Sequence, residues 1–316
     1  MSTRRQALER INCSQSTNAG LWLDKYIETQ DRKDTECRRK LVDEVAGIAP
    51  PASYRHWFAR WRNALQQYGA ESLEAQIQGR LAIGLGSESV LEIAVSLHHT
   101  YGVPYIPGTA LKGLAASFAR QYLGDDWKEG SDSKAFQTMF GETDHTGHVV
   151  FFDAMPLPDN FGLAPDVISV HHKDYYENGD SPPADWDEPT PVPFLSVTGS
   201  FLLALAGPSD WVSAAFEILE LALSELGVGA KTSSGYGRMQ LTKPPVDPDQ
   251  QKAGRLIVEI ESIRAVDVAG SINKYYQLWR DSELSPVQKR RVAEAIVNKI
   301  KAAGREKSSR DKKWYQ

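Results

Sequence analysis

The sequence predicts an α+β fold whose core is an antiparallel sheet, with a helical region before it and a basic helical tail after it. Three observations support this prediction: helical spacing of apolar residues up to about residue 70, two-residue alternation from Leu73, and two later helical segments that interrupt the strands. At 316 residues with 41% apolar content, the chain can bury one large core or two smaller ones.

The first 70 residues are predicted to be helical. Their clearest signal is an apolar stripe at three- and four-residue steps, formed by Tyr54, Trp57, Phe58, Trp61, Leu65 and Tyr68. Residues three and four apart share one face of a helix, so this stripe should be buried. We therefore expect residues 1–70 to form an N-terminal helical region that packs on the core.

The core is predicted from the elements that follow. In order, they are strands at 73–85 and 90–97, a helix at 109–122, a strand at 147–153, one or two strands at 192–206, a helix at 209–227 and a closing strand at 236–241. Thr109, after the turn formers Pro107 and Gly108, is the predicted N-cap of the first of these helices. The order of strand, helix, strand, strand, helix and strand is that of a ferredoxin-like or RNA-recognition-type domain.

Two segments complete the predicted organisation. Residues 154–191 are rich in Pro and Asp with little periodicity, and we expect a long surface loop inserted in the core. A further strand is predicted at 255–260, which extends the core to 71–260. Residues 261–316 then form a C-terminal basic tail, whose last helix is bracketed by Ser285, Pro286 and Gly304.

The composition excludes several classes of protein. No stretch reaches the roughly 18 apolar residues that a membrane span needs, and the polar start has no apolar segment for secretion, so we expect a cytoplasmic protein without a membrane partner. The only cysteines, Cys13 and Cys37, lack zinc-ligand spacing and exclude a disulfide framework. No cofactor is predicted.

The formal net charge of −5 conceals charged regions of opposite sign. Nine acidic residues and one lysine lie between Asp153 and Glu188, whereas ten basic and three acidic residues lie between Lys289 and Lys313. Local basic surfaces that hold phosphates are therefore compatible with an acidic total.

The first informative segment is GVPYIPGTALKG at 102–113. Lys112 is predicted to lie near the start of a helix, where a cation opposes the helix dipole by about 0.3–1 kcal/mol. An anion bound at that N-terminus would make the same cation favourable, because free backbone N–H groups there suit phosphate. The alternative is that Lys112 is a solvated surface residue.

The second informative segment is GVGAKTSSGYG at 227–237, with a lysine, hydroxyl side chains and the following Arg238 as donors for phosphate and ribose oxygens. It is not a Walker A loop, because Ala230 precedes Lys231, nor a dinucleotide fingerprint, because Thr232 replaces the third glycine. The alternative is a glycine-rich connection that only makes a turn.

Both segments, in this order, resemble the RAMP proteins of CRISPR effector complexes, in which a glycine-rich loop before the last strand is shared. Within that superfamily the chain is similar to the family of sixth subunits of the type III-B Cmr complex. The resemblance spans six segments: NAGLWLDKY at 18–26, GLGSESVLEIAVSLHHTYGVPYIPGTALKG at 84–113, GHVVFFDAMP at 147–156, HHKDYY at 171–176, PTPVPFLSV at 189–197 and GVGAKTSSGYGRM at 227–239.

The resemblance implies a non-catalytic backbone subunit that binds guide RNA (crRNA) near its 3′ end. The implied partners are the guide, the target RNA, and other Cmr subunits: the backbone subunit with nuclease activity, the small helical subunit and the other terminal RAMP subunit. The residues expected to contact RNA are Gly108, Thr109, Lys112, Gly229, Lys231, Thr232, Ser233, Ser234, Gly235, Tyr236, Arg238, His171 and His172. Tyrosines are further candidates for base stacking: Tyr101, Tyr105, Tyr175, Tyr176 and Tyr236.

Other chemistry has weaker support. A metal or acid/base site could be imagined from His98, His99, His145, Asp153, His171, His172 and Asp174, but adjacent histidines on a strand point to opposite faces. We instead expect His98 or His99 to pack beside Tyr101. Two rival functions stay open, a metal-independent guide-processing endoribonuclease and a purely structural capping subunit.

Overall fold

The computed structural model describes residues 11–14, 17–29, 31, 34–86, 95–128, 133–170, 190–242 and 248–304. The chain divides into two compact units, Met1–Thr242 and Lys243–Gln316. Among the described residues of the first unit, the helices are α1 (Ala19–Lys25), α2 (Thr35–Ala46), α3 (Ala52–Gln67), α4 (Gly108–Tyr122), α5 (Lys134–Phe140) and α6 (Ser209–Glu225). Its strands are β1 (Glu71–Ile77), β2 (Gly141–Glu142), β3 (His145–Thr146), β4 (Val150–Phe151), β5 (Met155–Val170), β6 (Thr190–Ala206) and β7 (Met239–Thr242).

The main sheet is antiparallel, in the order β4-β6-β1-β7, and β5 pairs along the rest of β6. Along the chain, β1 is followed by α4, then β4 and β5, then β6, α6 and β7. In a ferredoxin-like domain the first strand lies between the third and the fourth, and here β1 lies between β6 and β7 in the same way. The predicted ferredoxin-like α+β fold is confirmed.

Alternation along β6 explains how both faces of the sheet are covered. Phe201 and Leu203 are buried in one cluster with α4 and α6, whereas Leu202 is buried in another with Tyr54 and Phe58 of α3. A third cluster joins α1 and α2 to Leu195 of β6. Helix α3 therefore covers one face of the sheet and the two core helices cover the other, while α1 and α2 pack against β6 around Leu195.

The inserted segment is partly a strand and not a surface loop. Residues 155–170 form β5 and pair with β6 from Met155↔Leu202 to Val170↔Thr190. The prediction of a loop over 154–191 is therefore wrong for the part that is described, and 171–189 lie outside the described residues. Pro156 and Pro165 are tolerated because β5 lies at the edge of the sheet, where a missing N–H on the free side costs nothing.

Short strand segments are also less regular than predicted. Leu81 and Ala82 form only isolated bridges, to Val197 and Ala230, and Leu97 forms one to Pro104. Residues 87–94, which include most of the second predicted strand, lie outside the described part.

The second unit contains α7 (Pro248–Ser262), α8 (Val268–Asp281) and α9 (Pro286–Ala302) around their own apolar core. The strand predicted at 255–260 is wrong, because this segment lies inside α7. Its apolar residues Ala253, Leu256, Ile257 and Ile260 follow helical spacing, and this outweighs the strand preference of isoleucine and valine. The unit begins at Lys243, ahead of the boundary predicted after residue 260.

Among the helices of the described residues, none combines the length and apolar character needed to cross a membrane.

Candidate nucleic-acid interface

The first predicted turn ends in α4, which begins at Gly108 after Pro107 as N-cap. The amide of Gly108 donates a hydrogen bond to Oδ1 of Asp153 at 2.7 Å. Thr109 is the second residue of the helix and is exposed, and it makes no capping hydrogen bond. The prediction that Thr109 is the N-cap is therefore wrong, because a carboxylate distant in sequence caps this helix.

Gly108 is required here by close packing. A Cβ at this position would lie 2.2 Å from the carbonyl oxygen of Phe151, so a larger residue would push the helix off β4. Since the carboxylate of Asp153 already matches the positive end of the helix dipole, the amide of Gly108 is not free for phosphate. The donors that this turn offers outward are the exposed Thr109 and the half-buried Lys112, one helical turn further along.

The second predicted loop winds through left-handed backbone conformations. Its φ angles are 80° at Gly227, 92° at Gly229, 58° at Lys231, 88° at Gly235 and 75° at Gly237. Lys231 is the single non-glycine residue with positive φ in the described ranges. A lysine in this conformation is uncommon, and its surroundings must hold it there.

Two of these glycines are needed for packing and not for access to a ligand. A Cβ on Gly229 would lie 2.3 Å from the carbonyl oxygen of Ala82, and one on Gly237 would lie 1.9 Å from that of Val228. The amide of Gly237 donates to the carbonyl of Arg80 at 2.8 Å. The base of the loop is therefore fixed to the segment that follows β1.

The tip of the loop, residues 231–235, is its open part. Thr232–Ser234 form a 3-10 turn closed by the bond from the Gly235 amide to the Thr232 carbonyl, at 3.0 Å. Ser233, Ser234 and Gly235 are exposed, and a Cβ on Gly235 would meet no atom within 4 Å. The amides of Thr232 and Ser233 make no hydrogen bond to the described residues, so main-chain and side-chain donors are available together.

The last two predicted residues of this loop have structural partners. The hydroxyl of Tyr236 donates to Oδ2 of Asp166 on β5 at 2.8 Å, and burial, together with Asp166, raises the pKa of Tyr236. Arg238 Nη1 donates to the carbonyls of Ser224, at 2.7 Å, and Glu225, and so caps the end of α6. Both side chains tie the loop to its neighbours, which leaves the tip as the part that faces outward.

Arg80 is a cation at this site that sequence reasoning missed. Its carbonyl holds Gly237, its Nη1 donates to Oγ of Ser196 at 2.9 Å, and its charge lowers the pKa of Tyr236 against the larger effects of burial and Asp166. A guanidinium has five N–H donors, so one bond to a hydroxyl leaves most of them for another acceptor. The pairing of β1 with β7 brings Arg80 here from a distant part of the sequence.

The two turns lie at different places on the sheet. The first is bound to the segment after β4, where the amide of Phe152 donates to Ala204, whereas the second is bound to the segment where Leu81 pairs with Val197. Val197 and Ala204, the two positions on β6, are separated by roughly 20 Å along the strand. The turns would therefore contact separate points on a long ligand.

An aromatic cluster surrounds His98. Its ring lies 5.2 Å from that of Tyr101, 5.6 Å from that of Trp57 and 6.4 Å from that of Tyr105, so the expected packing beside Tyr101 is confirmed. Burial lowers the pKa of His98, His99 lowers it further, and Asp153 opposes them. His98 is therefore a neutral packing residue at pH 7, and Tyr101 and Tyr105 are in ring contact with it.

The histidines and aspartates considered as metal ligands are not brought together at these turns. Within the residues that the structure describes, no group of three His, Cys, Asp or Glu side chains could hold a metal ion. Nδ1 of His145 lies 3.1 Å from Oε1 of Glu142 in the small β2–β3 hairpin. His171, His172, Asp174, Tyr175 and Tyr176 lie outside the described residues.

Comparison with known proteins places the chain in a family. The sequence profile of the RAMP superfamily matches residues 74–240, which contain most of the sheet and both turns. The chain is 32% identical over 245 residues to CRISPR system Cmr subunit Cmr6 of Pyrococcus furiosus, covering 59% of this chain and 72% of that protein. It is 28% identical over 256 residues to Cmr6 of Saccharolobus solfataricus, covering 74% and 85%.

A solved structure, the type III-B Cmr-beta complex bound to cognate target RNA, contains a chain with the same fold. The TM-score is 0.54 at 24% sequence identity, over 76% of this chain and 86% of that chain. The order of the strands, the matched profile and the relatives agree with the resemblance found in the sequence, and the chain belongs to the RAMP superfamily as a homologue of Cmr6.

Proposed function

We propose that this chain is an RNA-binding subunit of a type III-B CRISPR effector complex and holds the backbone of the guide RNA near its 3′ end. The relatives named Cmr6 and the fold shared with a chain of an RNA-bound Cmr complex support the assignment to such a complex. The partners would be the guide, the target RNA and the other Cmr subunits.

The open tip of the glycine loop is the observation that carries the proposed contact. Lys231, Thr232, Ser233 and Ser234 present one cation, three hydroxyls and two free amides on a fixed base, and Arg80 contacts that base at Gly237. Such donors suit phosphate and ribose oxygens and read no base edges. This suits a guide, whose sequence varies from one molecule to the next.

The first turn would add a second contact through Lys112 and Thr109. Its separation from the glycine loop, roughly 20 Å along the sheet, fits an extended strand of RNA better than a small ligand. The helix N-terminus itself contributes little, since Asp153 occupies it. We therefore assign the RNA contact mainly to side chains at the first turn, and to side chains and amides at the second.

The rival functions predict different outcomes in one experiment. Purified chain is mixed with radiolabelled guide RNA, with and without EDTA, and the RNA is followed for retention and for cuts. Intact, retained RNA supports a binding subunit. Specific cuts would support the guide-processing endoribonuclease, and neither cuts nor retention would support the structural cap.

The same binding assay tests the residues. We expect Lys112→Ala and Lys231→Ala each to weaken retention at about 0.15 M salt and to reduce the slope of log affinity against log salt by about 0.7, the value for one phosphate contact to a single strand. Unchanged retention in the double variant would contradict the assignment.

A further inference from the structure

The two compact units carry opposite charge. Residues 1–242 contain 20 Lys and Arg against 31 Asp and Glu, whereas residues 243–316 contain 16 against 10. The first unit is therefore acidic by eleven charges and the second basic by six. The second unit also lies beyond residues 74–240, the part that matches the superfamily, so its charge calls for an explanation of its own.

Several carboxylates of the second unit are already paired inside it. Asp267 accepts from Arg264 Nε at 2.8 Å, Asp281 from Arg280 Nε at 2.8 Å and Glu294 from Arg290 Nε at 3.1 Å, while Asp249 accepts from the amide of Ser285 at 3.0 Å. These contacts use acidic groups locally, and within the described residues they leave Arg291 and Lys301 of α9 without a carboxylate partner.

The exposed face of α9 carries part of the basic surplus, since one of its three exposed cations pairs with Glu294 and two do not. Val292, Ile296 and Ile300 bury the opposite face, and Arg290, Arg291 and Lys301 are exposed. Arg291 contacts only the side-chain oxygen of Gln288, at 3.3 Å, among the described residues. The face extends roughly 16 Å from Arg290 to Lys301, at the rise of an α-helix.

The chemistry of this face favours a nucleic acid over a protein partner. Protein interfaces bury a central apolar or aromatic cluster, with the charged residues at the rim. None of the large exposed apolar side chains of the described part of this unit, Val258, Val266 and Leu278, lies on α9. Arg291 and Lys301, with the amide of Asn298 between them and that of Gln288 next to Arg291, suit a row of phosphates, which needs charge and donors and no apolar anchor.

We propose that the exposed face of α9 is a second RNA-binding surface, which takes the sugar–phosphate backbone of single-stranded RNA independently of its sequence. It acts in addition to the turns of the first unit, and on a separate compact unit. An RNA long enough to reach both units is held at both.

The test uses the full-length chain and a fluorescein-labelled single-stranded RNA of mixed sequence. Arg291→Ala/Lys301→Ala removes two cations that have no carboxylate partner among the described residues. For single-stranded RNA each lost phosphate contact reduces the salt slope by about 0.7, which for two contacts gives a loss of about 25-fold in affinity at about 0.1 M salt relative to about 1 M. The charge-preserving pair Arg291→Lys/Lys301→Arg should keep the affinity.

Lys252→Ala/Arg255→Ala on α7 is the matched control, because both residues are exposed and the change in charge is the same. An equal loss of affinity in this control would overturn the proposal. An unchanged salt slope in the α9 variant would also overturn it, and is the result expected if α9 binds an acidic protein. A loss with the α9 variant and none with Lys112→Ala/Lys231→Ala would reject the contact proposed for the first unit and keep this one.

Discussion

Oδ1 of Asp153 accepts a hydrogen bond from the amide of Gly108 at 2.7 Å, and this contact joins the end of β4 to the start of α4. It means that the anion at this helix N-terminus belongs to the chain itself. The first turn is consequently a packed corner, with Gly108 against the carbonyl of Phe151, and its part in RNA binding rests on the side chains of Thr109 and Lys112.

Asp153→Ala should lower the free energy of unfolding by about 1 kcal/mol, because a capping carboxylate is lost from α4. Asp153→Asn keeps an acceptor and should cost less. Asp159→Ala is the control: among the described residues this exposed side chain forms only a surface ion pair, with Arg55, and its loss should change stability by about 0.5 kcal/mol or less. Urea unfolding measures all three, and an equal cost for Asp153→Ala and Asp159→Ala would contradict the capping role.

The glycines of the second loop should differ sharply in their tolerance of alanine. Gly237→Ala places a Cβ 1.9 Å from the Val228 carbonyl and should destabilise the chain by about 3 kcal/mol or more. Gly235→Ala meets no atom and should cost only the left-handed backbone penalty, about 1–2 kcal/mol. Thermal unfolding compares the two, and similar losses would mean that the base of the loop is not packed as described.

Lys231→Asn separates the charge of Lys231 from its backbone conformation. Asparagine tolerates a φ near 58°, so we expect the free energy of unfolding to change by less than about 0.5 kcal/mol. RNA retention should nevertheless fall, with a smaller dependence on salt, because one cation is lost. Retention equal to that of the unmodified chain would show that Lys231 serves the turn alone.

His98 should make stability depend on pH. Because its pKa is lowered in the folded chain, the unfolded chain binds more protons once the pH falls below its ordinary pKa of 6.5. Its contribution to stability is thus complete above pH 6.5 and is lost as the pH falls from there through the folded pKa. His98→Gln should show a smaller loss of unfolding temperature between pH 7.5 and 5.5, and an identical loss would contradict the assignment.

The parts of the fold that could be predicted have strong periodicity of their own. Apolar spacing in β1, α4, β6 and α6 is regular, so their order was recoverable from the sequence. Strand β5 could not be predicted, because Pro156 and Pro165 are typical of loops. They are tolerated here only because the strand lies at an edge of the sheet. The segment from Arg255 to Ile260 contains β-branched residues whose helical state depends on packing against α9.

The candidate site shows the same division. The tip at Lys231–Ser234 was visible as a glycine-rich run with hydroxyls, and the structure leaves it open. The roles of Asp153, Arg80 and Arg238 depend on contacts across the sheet that no local pattern encodes. Sequence reasoning therefore found the position of the loop and missed which of its side chains are already occupied.

The most direct measurement is the structure of this chain in a guide-loaded Cmr assembly. We predict sugar–phosphate oxygens within hydrogen-bonding distance of Lys231 and the hydroxyls or amides of residues 232–234, with Arg80 nearby. A structure in which this tip faces solvent or packs against protein, with no RNA backbone beside it, would contradict this prediction.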